Sequence, residues 1–412
     1  MTRKTAGLAS LLVGLAAVWS AAAYFLWQSK VPTSLRLPHV AVNRLFSAAQ
    51  LHAASSFGRF TTLDWILAEV IQLVVLGLYA WRGARFARES AAGPIGTGML
   101  LGMIGFALVW VAQLPSDLLG LWWERRHHLT HTGYVTEVFG NWIALGGQFA
   151  FLCLALLIVM GFARLVGARW WLPAAPLFVA LAALSAFVTP YLLSTHPLHD
   201  ARLEAQAVAL ERIEHVQHTP IVVQSVHRVT ALPNAESVGL GPSQRVVLWD
   251  TLLDGRFTDR ELRVVIGHEL GHLQRRHLWK DIGWYALFAF PGAFAVSRVT
   301  RSRGGMARPE AVPFALLAIV VLGLLALPLQ NAISRHMEAE ADWEALQATR
   351  DPAGATALFR RFVPTTLDEP SPSTWEYLLL ENHPTIAQRI AMAEAWKRYA
   401  AARSGRPGSV SR

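Results

Sequence analysis

Between Glu310 and Arg335 the chain carries no charged side chain, a run longer than the ~20 residues a helix needs to cross a bilayer. In hydrocarbon every peptide group must be satisfied inside its own segment, so such a run is read as a spanning helix. Windows 7–28, 63–81, 95–115, 142–163, 172–193, 282–297 and 311–333 all read this way, and only the second carries charge. The chain is therefore expected to be mostly α-helical and polytopic, with about seven transmembrane helices. The window 282–297 is short and interrupted by Pro291, which suggests a kinked or re-entrant span. The first window has a signal-peptide alternative, since Arg3 and Lys4 precede an apolar stretch ending in Ala21-Ala22-Ala23. The continuation through Tyr24-Phe25-Leu26 to Trp27 favours a retained helix.

Composition agrees with a lipid environment. Of 412 residues 53% are hydrophobic and only 16% charged, too apolar for an ordinary soluble protein of this size. Sixteen Trp suit a membrane interface, and Trp65 with Trp81 bracket one window as an aromatic belt would. The sole cysteine, Cys153, lies in an apolar run, which excludes a disulfide framework and a thiolate metal site. The net charge of +9 is spread over short loops, so lipid headgroups are the expected partner and nucleic acid is not. Within the second window Glu69 is expected to face the bundle interior or a wet cavity in a structural role, with Asp64 at the interface.

Five spans thus fill 1–193, a polar insert covers 194–281, two spans follow in 282–333, a second polar segment covers 334–403, and 404–412 reads as a disordered tail. In the insert, 201–216 has helical spacing, 221–229 alternates as a strand, and Arg245–Trp249 is a second short strand. Asn234-Ala235 and Gly239-Leu240-Gly241-Pro242 punctuate them, giving a small sheet ahead of a helix that starts near Thr258 or Asp259 with Glu261 in its first turn.

That helix carries His268-Glu269-Leu270-Gly271-His272. Residues four apart share a helix face, so His268 and His272 can hold one Zn²⁺ while Glu269 reaches the water it activates. A bare motif of this kind is often only a solvated turn. Here it follows Leu262–Ile266, which would bury one face; Gly271 leaves room beside the metal; and the later cluster Glu338-Ala339-Glu340-Ala341-Asp342 offers a third ligand. Glu338 is the expected ligand. Asp342, one turn on, is expected to accept the outer N–H of a ligand histidine, with proton donation to the leaving group as the alternative. Glu340 points to another face and is read as solvated or structural. His277, His127, His128 and His131 are read as interfacial or solvated rather than as ligands. The chemistry this implies is peptide hydrolysis by a zinc-activated water with Glu269 as general base.

On these residues the chain resembles the CAAX prenyl protease type I family, integral-membrane zinc peptidases of the gluzincin group. The likeness rests on His268–His272, on Ser334–Asp342, on Asn234-Ala235 followed by Arg245–Leu253, on Thr189-Pro190 to Leu198, and on His383-Pro384 with Arg389. It implies a gluzincin-type α+β zinc peptidase domain with a small sheet, and spans that enclose a water-filled chamber. It also implies one Zn²⁺ per chain on His268, His272 and Glu338, with Glu269 catalytic and Asp342 as proton donor. His383 would stabilise the tetrahedral intermediate, and the backbone near Asn234 to Ser237 would pair with substrate as an edge strand, with Asn234 and Ala235 as substrate contacts. Arg389 enters as a substrate contact, although from the residues alone an ion-pair anchor is the simpler reading. The segment Glu124–Leu129 lacks the family's Gly-Phe pair, and Glu236 and Ser237 stand where bulkier residues are common, both of which bear on the substrate.

The expected partners are a peptide or protein substrate, membrane-associated or lipidated, and the bilayer itself. An Arg-rich, Lys-poor, Ala-rich composition is that of a GC-rich bacterium, which points to a plasma membrane where CAAX prenylation is not expected. Loop arginines do not settle the orientation, and the resemblance favours a cytoplasmic catalytic face. Broad quality control of membrane proteins by the same zinc chemistry is the first alternative function. An inert transporter or scaffold is the second.

Overall fold

The computed structural model of the protein describes residues 3–89, 92–140 and 142–404. Its apolar windows become helices α1 (Arg3–Leu26), α2 (Ala48–Arg82), α3 (Gly93–Arg126), α4 (Trp142–Val166) and α5 (Trp171–Leu192). The insert then supplies β1 (Thr195–Pro197), α6 (Ala201–Glu214), β2 (Ile221–Gln224), β3 (Ala235–Val238), β4 (Arg245–Trp249) and α7 (Asp259–Gln274). After it come α8 (His277–Val299), α9 (Val312–Thr349), α10 (Pro352–Thr366) and α11 (Ile386–Ser404).

Among the described residues six helical stretches are long and apolar enough to cross a membrane: Ala48–Phe86, Gly93–Arg126, Tyr134–Arg169, Trp171–Leu192, His277–Arg303 and Pro309–Thr349. The first window forms α1, whose part from Val13 to Leu26 counts as a shorter apolar helix. Large apolar side chains stay exposed along these helices, Val18, Val70, Leu78, Leu157, Leu184 and Leu325 among them, as contact with lipid rather than water requires. Pro291 does not break α8, which runs on as one helix. The short proline-interrupted window is therefore a continuous span. Asp64 accepts a hydrogen bond from Ser116 (2.6 Å), and one oxygen of Glu69 is buried without a partner among the described residues. The tail falls outside the described residues beyond Ser404, the last residue of α11.

The four strands form one sheet in the order β1-β2-β4-β3, with β2 parallel to β4 and the other pairs antiparallel. The strand expected over 221–229 stops at Gln224 because Asp250 Oδ1 accepts from the backbone N–H of Val226 (2.9 Å) and His227 (3.0 Å), turning the chain out of the ladder. Ala235, which its sequence reads as part of a turn, instead opens β3, which pairs on one side only and lies at the sheet edge where the family resemblance puts an edge strand. β1 was not expected; three residues are too few to show alternation.

A core of Leu210, Leu248, Ile266, Leu346, Leu358 and Ile390 fastens the sheet and α6 to α7, the far half of α9, α10 and α11. α7 begins as its sequence dictates. The Thr258 backbone N–H reaches Glu261 Oε2 (2.7 Å), Thr258 receives the reciprocal contact, and the buried Glu261 is paired with Arg361 (2.9 Å). The room at Gly271 serves helix packing rather than the metal: a Cβ there would lie 3.1 Å from Glu344 Cβ and 3.2 Å from the Ala341 carbonyl oxygen of α9. Absence of a side chain is what lets α7 lie close against α9.

Candidate active site

α7 and α9 carry the decisive side chains to one point. His268 and His272, one turn apart on α7, aim Nε2 at each other across 3.1 Å. Glu338 of α9 comes within 3.2 Å of His268 Nε2 and 3.5 Å of His272 Nε2. One ligand atom from each of the three lies within 4.8 Å of the others, a cluster able to hold a metal ion. Glu338 Oε2 is buried and accepts no hydrogen bond among the described residues. Such an orphaned anion beside two imidazoles calls for a cation.

Electrostatics agree. Burial pushes His272 down to about 4, so it is the neutral imidazole that metal ligation needs. Burial acts on His268 in the same direction, but the hydrogen bond to Asp342 and the charges of Glu338 and Asp342 outweigh it and raise the group. Two carboxylates thus crowd a single imidazole, and the positive charge they draw is what a metal ion would supply.

Asp342 lies where the i, i+4 spacing puts it. Its Oδ1 accepts from His268 Nδ1 (2.9 Å), and Arg389 of α11 donates to both its oxygens (2.8 and 2.6 Å). Arg389 also stacks over Phe359 at 4.3 Å. Its Nε and one guanidinium nitrogen are thereby taken up by an ion pair. Glu269 is nearly buried at 6% exposure and still borders the cleft. Burial raises it above the ordinary carboxylate range against the opposing pull of His268 and Ser237. Ser237 Oγ lies 2.9 Å from Glu269 Oε2 and 2.6 Å from its carbonyl oxygen, which ties β3 to this carboxylate.

A cleft of about 320 Å³ opens onto these groups, lined among others by Asn234, Ala235, His268, Glu269, His383 and Arg389. His383, half exposed, brings Nε2 to 3.2 Å from Glu338 Oε2. Asn234 and Ala235 bring the free side of β3 to the same opening. Beyond Asp368, Glu369, Glu381 and Asn382 a second space of about 430 Å³ runs between Trp65 of α2 and Leu327 and Asn331 of α9. The cleft therefore continues towards the spans. Every site residue singled out from the sequence gathers here. The contact of the Ser237 side chain with Glu269 and the contacts of His277 with His272 and Glu340 were not foreseen. A serine in a short strand carries no spacing signal, and the position of His277 depends on how α8 folds back.

Fold and site together define a metalloprotease carried by membrane helices. Residues 205–397 match the model of peptidase family M48. It is 25% identical to YhfN of Bacillus subtilis, described as an uncharacterized metalloprotease, over 94% of this chain and 95% of that one. HtpX protease homologues from Kineococcus radiotolerans and Ralstonia nicotianae are 30% and 34% identical over 41% and 39% of this chain. Those alignments span 66% and 63% of the homologues' own length. In fold the chain is similar to the crystal structure of S. mikatae Ste24p, with a TM-score of 0.69 at 17% identity over 92% of this chain and 96% of that one.

Proposed function

We propose that the protein is a zinc-dependent membrane endopeptidase that hydrolyses peptide bonds of a polypeptide held against β3. The convergence of His268, His272 and Glu338 carries this reading. Their separations of 3.1, 3.2 and 3.5 Å compare with the edge of ~3.4 Å that zinc bonds of ~2.0–2.1 Å imply for a tetrahedron. The two imidazoles and the carboxylate would hold the ion, which when bound supplies a Lewis acid and acidifies water to a pKa of ~7.

The remaining steps belong to the chain. Glu269 takes the proton of the attacking water and hands it towards the leaving amine, a role suited to a carboxylate whose burial raises its basicity. Ser237 fixes the rotamer of Glu269. Asp342 accepts from His268 Nδ1, which leaves Nε2 free to ligate, and Arg389 holds Asp342. His383 reaches into the cleft with an N–H to offer to the oxygen that gains charge. Asn234 and Ala235 offer backbone groups to an extended substrate.

The substrate is a membrane-associated polypeptide, approaching through the space between α2 and α9 on a cytoplasmic catalytic face of the plasma membrane. Cleavage of prenylated C-terminal peptides and cleavage of unfolded membrane proteins are separated by offering both to the purified protein. For the chemistry itself, Glu269→Gln should retain about one zinc per chain and lose ~10²–10⁴-fold in turnover. Near-normal cleavage by this variant, or a wild type without stoichiometric zinc, overturns the assignment.

A further inference from the structure

His272 has a nitrogen that the cluster above does not use. Its Nδ1 lies 2.9 Å from Nδ1 of His277, whose Nε2 lies 3.0 Å from Glu340 Oε2. His277 is 3% exposed, so it is not the interfacial or solvated group that the sequence suggested, and Glu340, not exposed at all, is the structural rather than the solvated carboxylate of its two expected readings. Glu340 further accepts from Arg275 Nε (2.8 Å), Lys280 Nζ (2.8 Å) and the backbone N–H of Lys30 (2.8 Å). Fold-back makes this contact. Arg276 takes a left-handed φ of 54°, which ends α7 and starts α8 so that a side chain five residues past His272 returns onto its ring.

We propose that His277 and Glu340 are positioning residues for the metal centre, holding His272 in the tautomer and ring orientation that present Nε2 to the ion. The inference rests on the zinc peptidase reading above. The proton positions follow from one requirement. If His272 ligates through Nε2, its proton sits on Nδ1 and is donated to Nδ1 of His277. His277 then carries its own proton on Nε2 and donates it to Glu340. Every nitrogen in the chain is used once, with no proton left over. His268 has the same arrangement one link shorter, with Asp342 as the acceptor and Arg389 behind it. α9 thus provides one ligand and both outer carboxylates at alternate positions 338, 340 and 342. The segment after α1 closes the second chain of bonds: Trp27 stacks on His336 at 4.1 Å and Lys30 caps Glu340.

The test is zinc affinity of the full-length protein in detergent, measured by competition with a chelator. His277→Phe removes the acceptor while filling the space and should weaken zinc binding ~10–100-fold. His277→Asn puts an amide oxygen near the old Nδ1 position and should restore most of the affinity. His277→Gln, which mimics only the Nε2 end, should not. The melting temperature of the zinc-free protein should fall alike in the Phe and Asn variants, so a merely structural role would not separate them. Wild-type affinity in the Phe variant, or an Asn variant as weak as Phe, overturns the inference and leaves the peptidase reading standing. A wild type that binds no zinc removes both.

Discussion

Arg389 and Asp342 form the most exacting ion pair at the site, and removing one partner tests whether the pair supports the centre. Asp342 is buried at 4% exposure and Arg389 largely so at 12%, and two hydrogen bonds of 2.8 and 2.6 Å join them. Replacing Arg389 by Met keeps the stem against Phe359 but strands the carboxylate, and breaking a buried pair in this way costs about 3–5 kcal/mol. For a catalytic half of roughly 200 residues, at ~2–4 °C per kcal/mol, this becomes a fall of ~6–20 °C in the thermal unfolding midpoint. Asp342→Asn alone strands the guanidinium instead. In the double variant neither charge is left, so the losses should not add: a coupling energy of ~1–3 kcal/mol should appear in the cycle. Measuring midpoints for the four proteins in one detergent decides the matter. Additive losses, or a drop of under about 2 °C for Arg389→Met, would show that the pair is not what holds α11 to α9.

Ser237→Ala should lower kcat ~10–150-fold with KM little changed, since a hydrogen bond to a charged group is worth ~1.5–3 kcal/mol, while Ser237→Thr keeps the hydroxyl and most of the rate. Equal losses in the two variants would count against a positioning role. Glu214 of α6 is 2% exposed with both carboxyl oxygens unpartnered among the described residues, and burial together with the Glu344 charge raises it to about 9. Its folded pKa lies above the unfolded value, so the stability it contributes is complete at low pH and is lost as pH climbs through about 9. Melting curves at pH 7 and 9.5 should therefore converge for Glu214→Gln and separate for the wild type. Identical separation in both would refute the assignment.

Much of this was legible because two physical signals are local. Uncharged length marks α3, α4, α5 and the first half of α9 directly, and the i, i+4 rule places His268, His272, Glu338 and Asp342 without knowledge of the fold. The Thr258–Glu261 capping pair gave the start of α7 to within a residue. What stayed hidden depends on distant partners. β2 stops early because Asp250, more than twenty residues away, captures its next N–H groups. Gly271 looked like space for a metal, and only the approach of α9 shows what the space is for. Glu340 and Asp342 share one stretch of sequence, and their different tasks emerge only once Lys280 and Arg389 arrive from other helices.

α9 is one uninterrupted rod of 38 residues whose first half is lipid-spanning sequence and whose second half bears Glu338. α8, itself apolar enough to span, separates it along the sequence from the helix of His268 and His272. Any fragment that retains all three ligands must therefore retain two greasy segments, and no aqueous piece of this enzyme can be excised for study. Purification has to begin from solubilised membranes, and whatever solubilises them becomes part of the chemistry's surroundings.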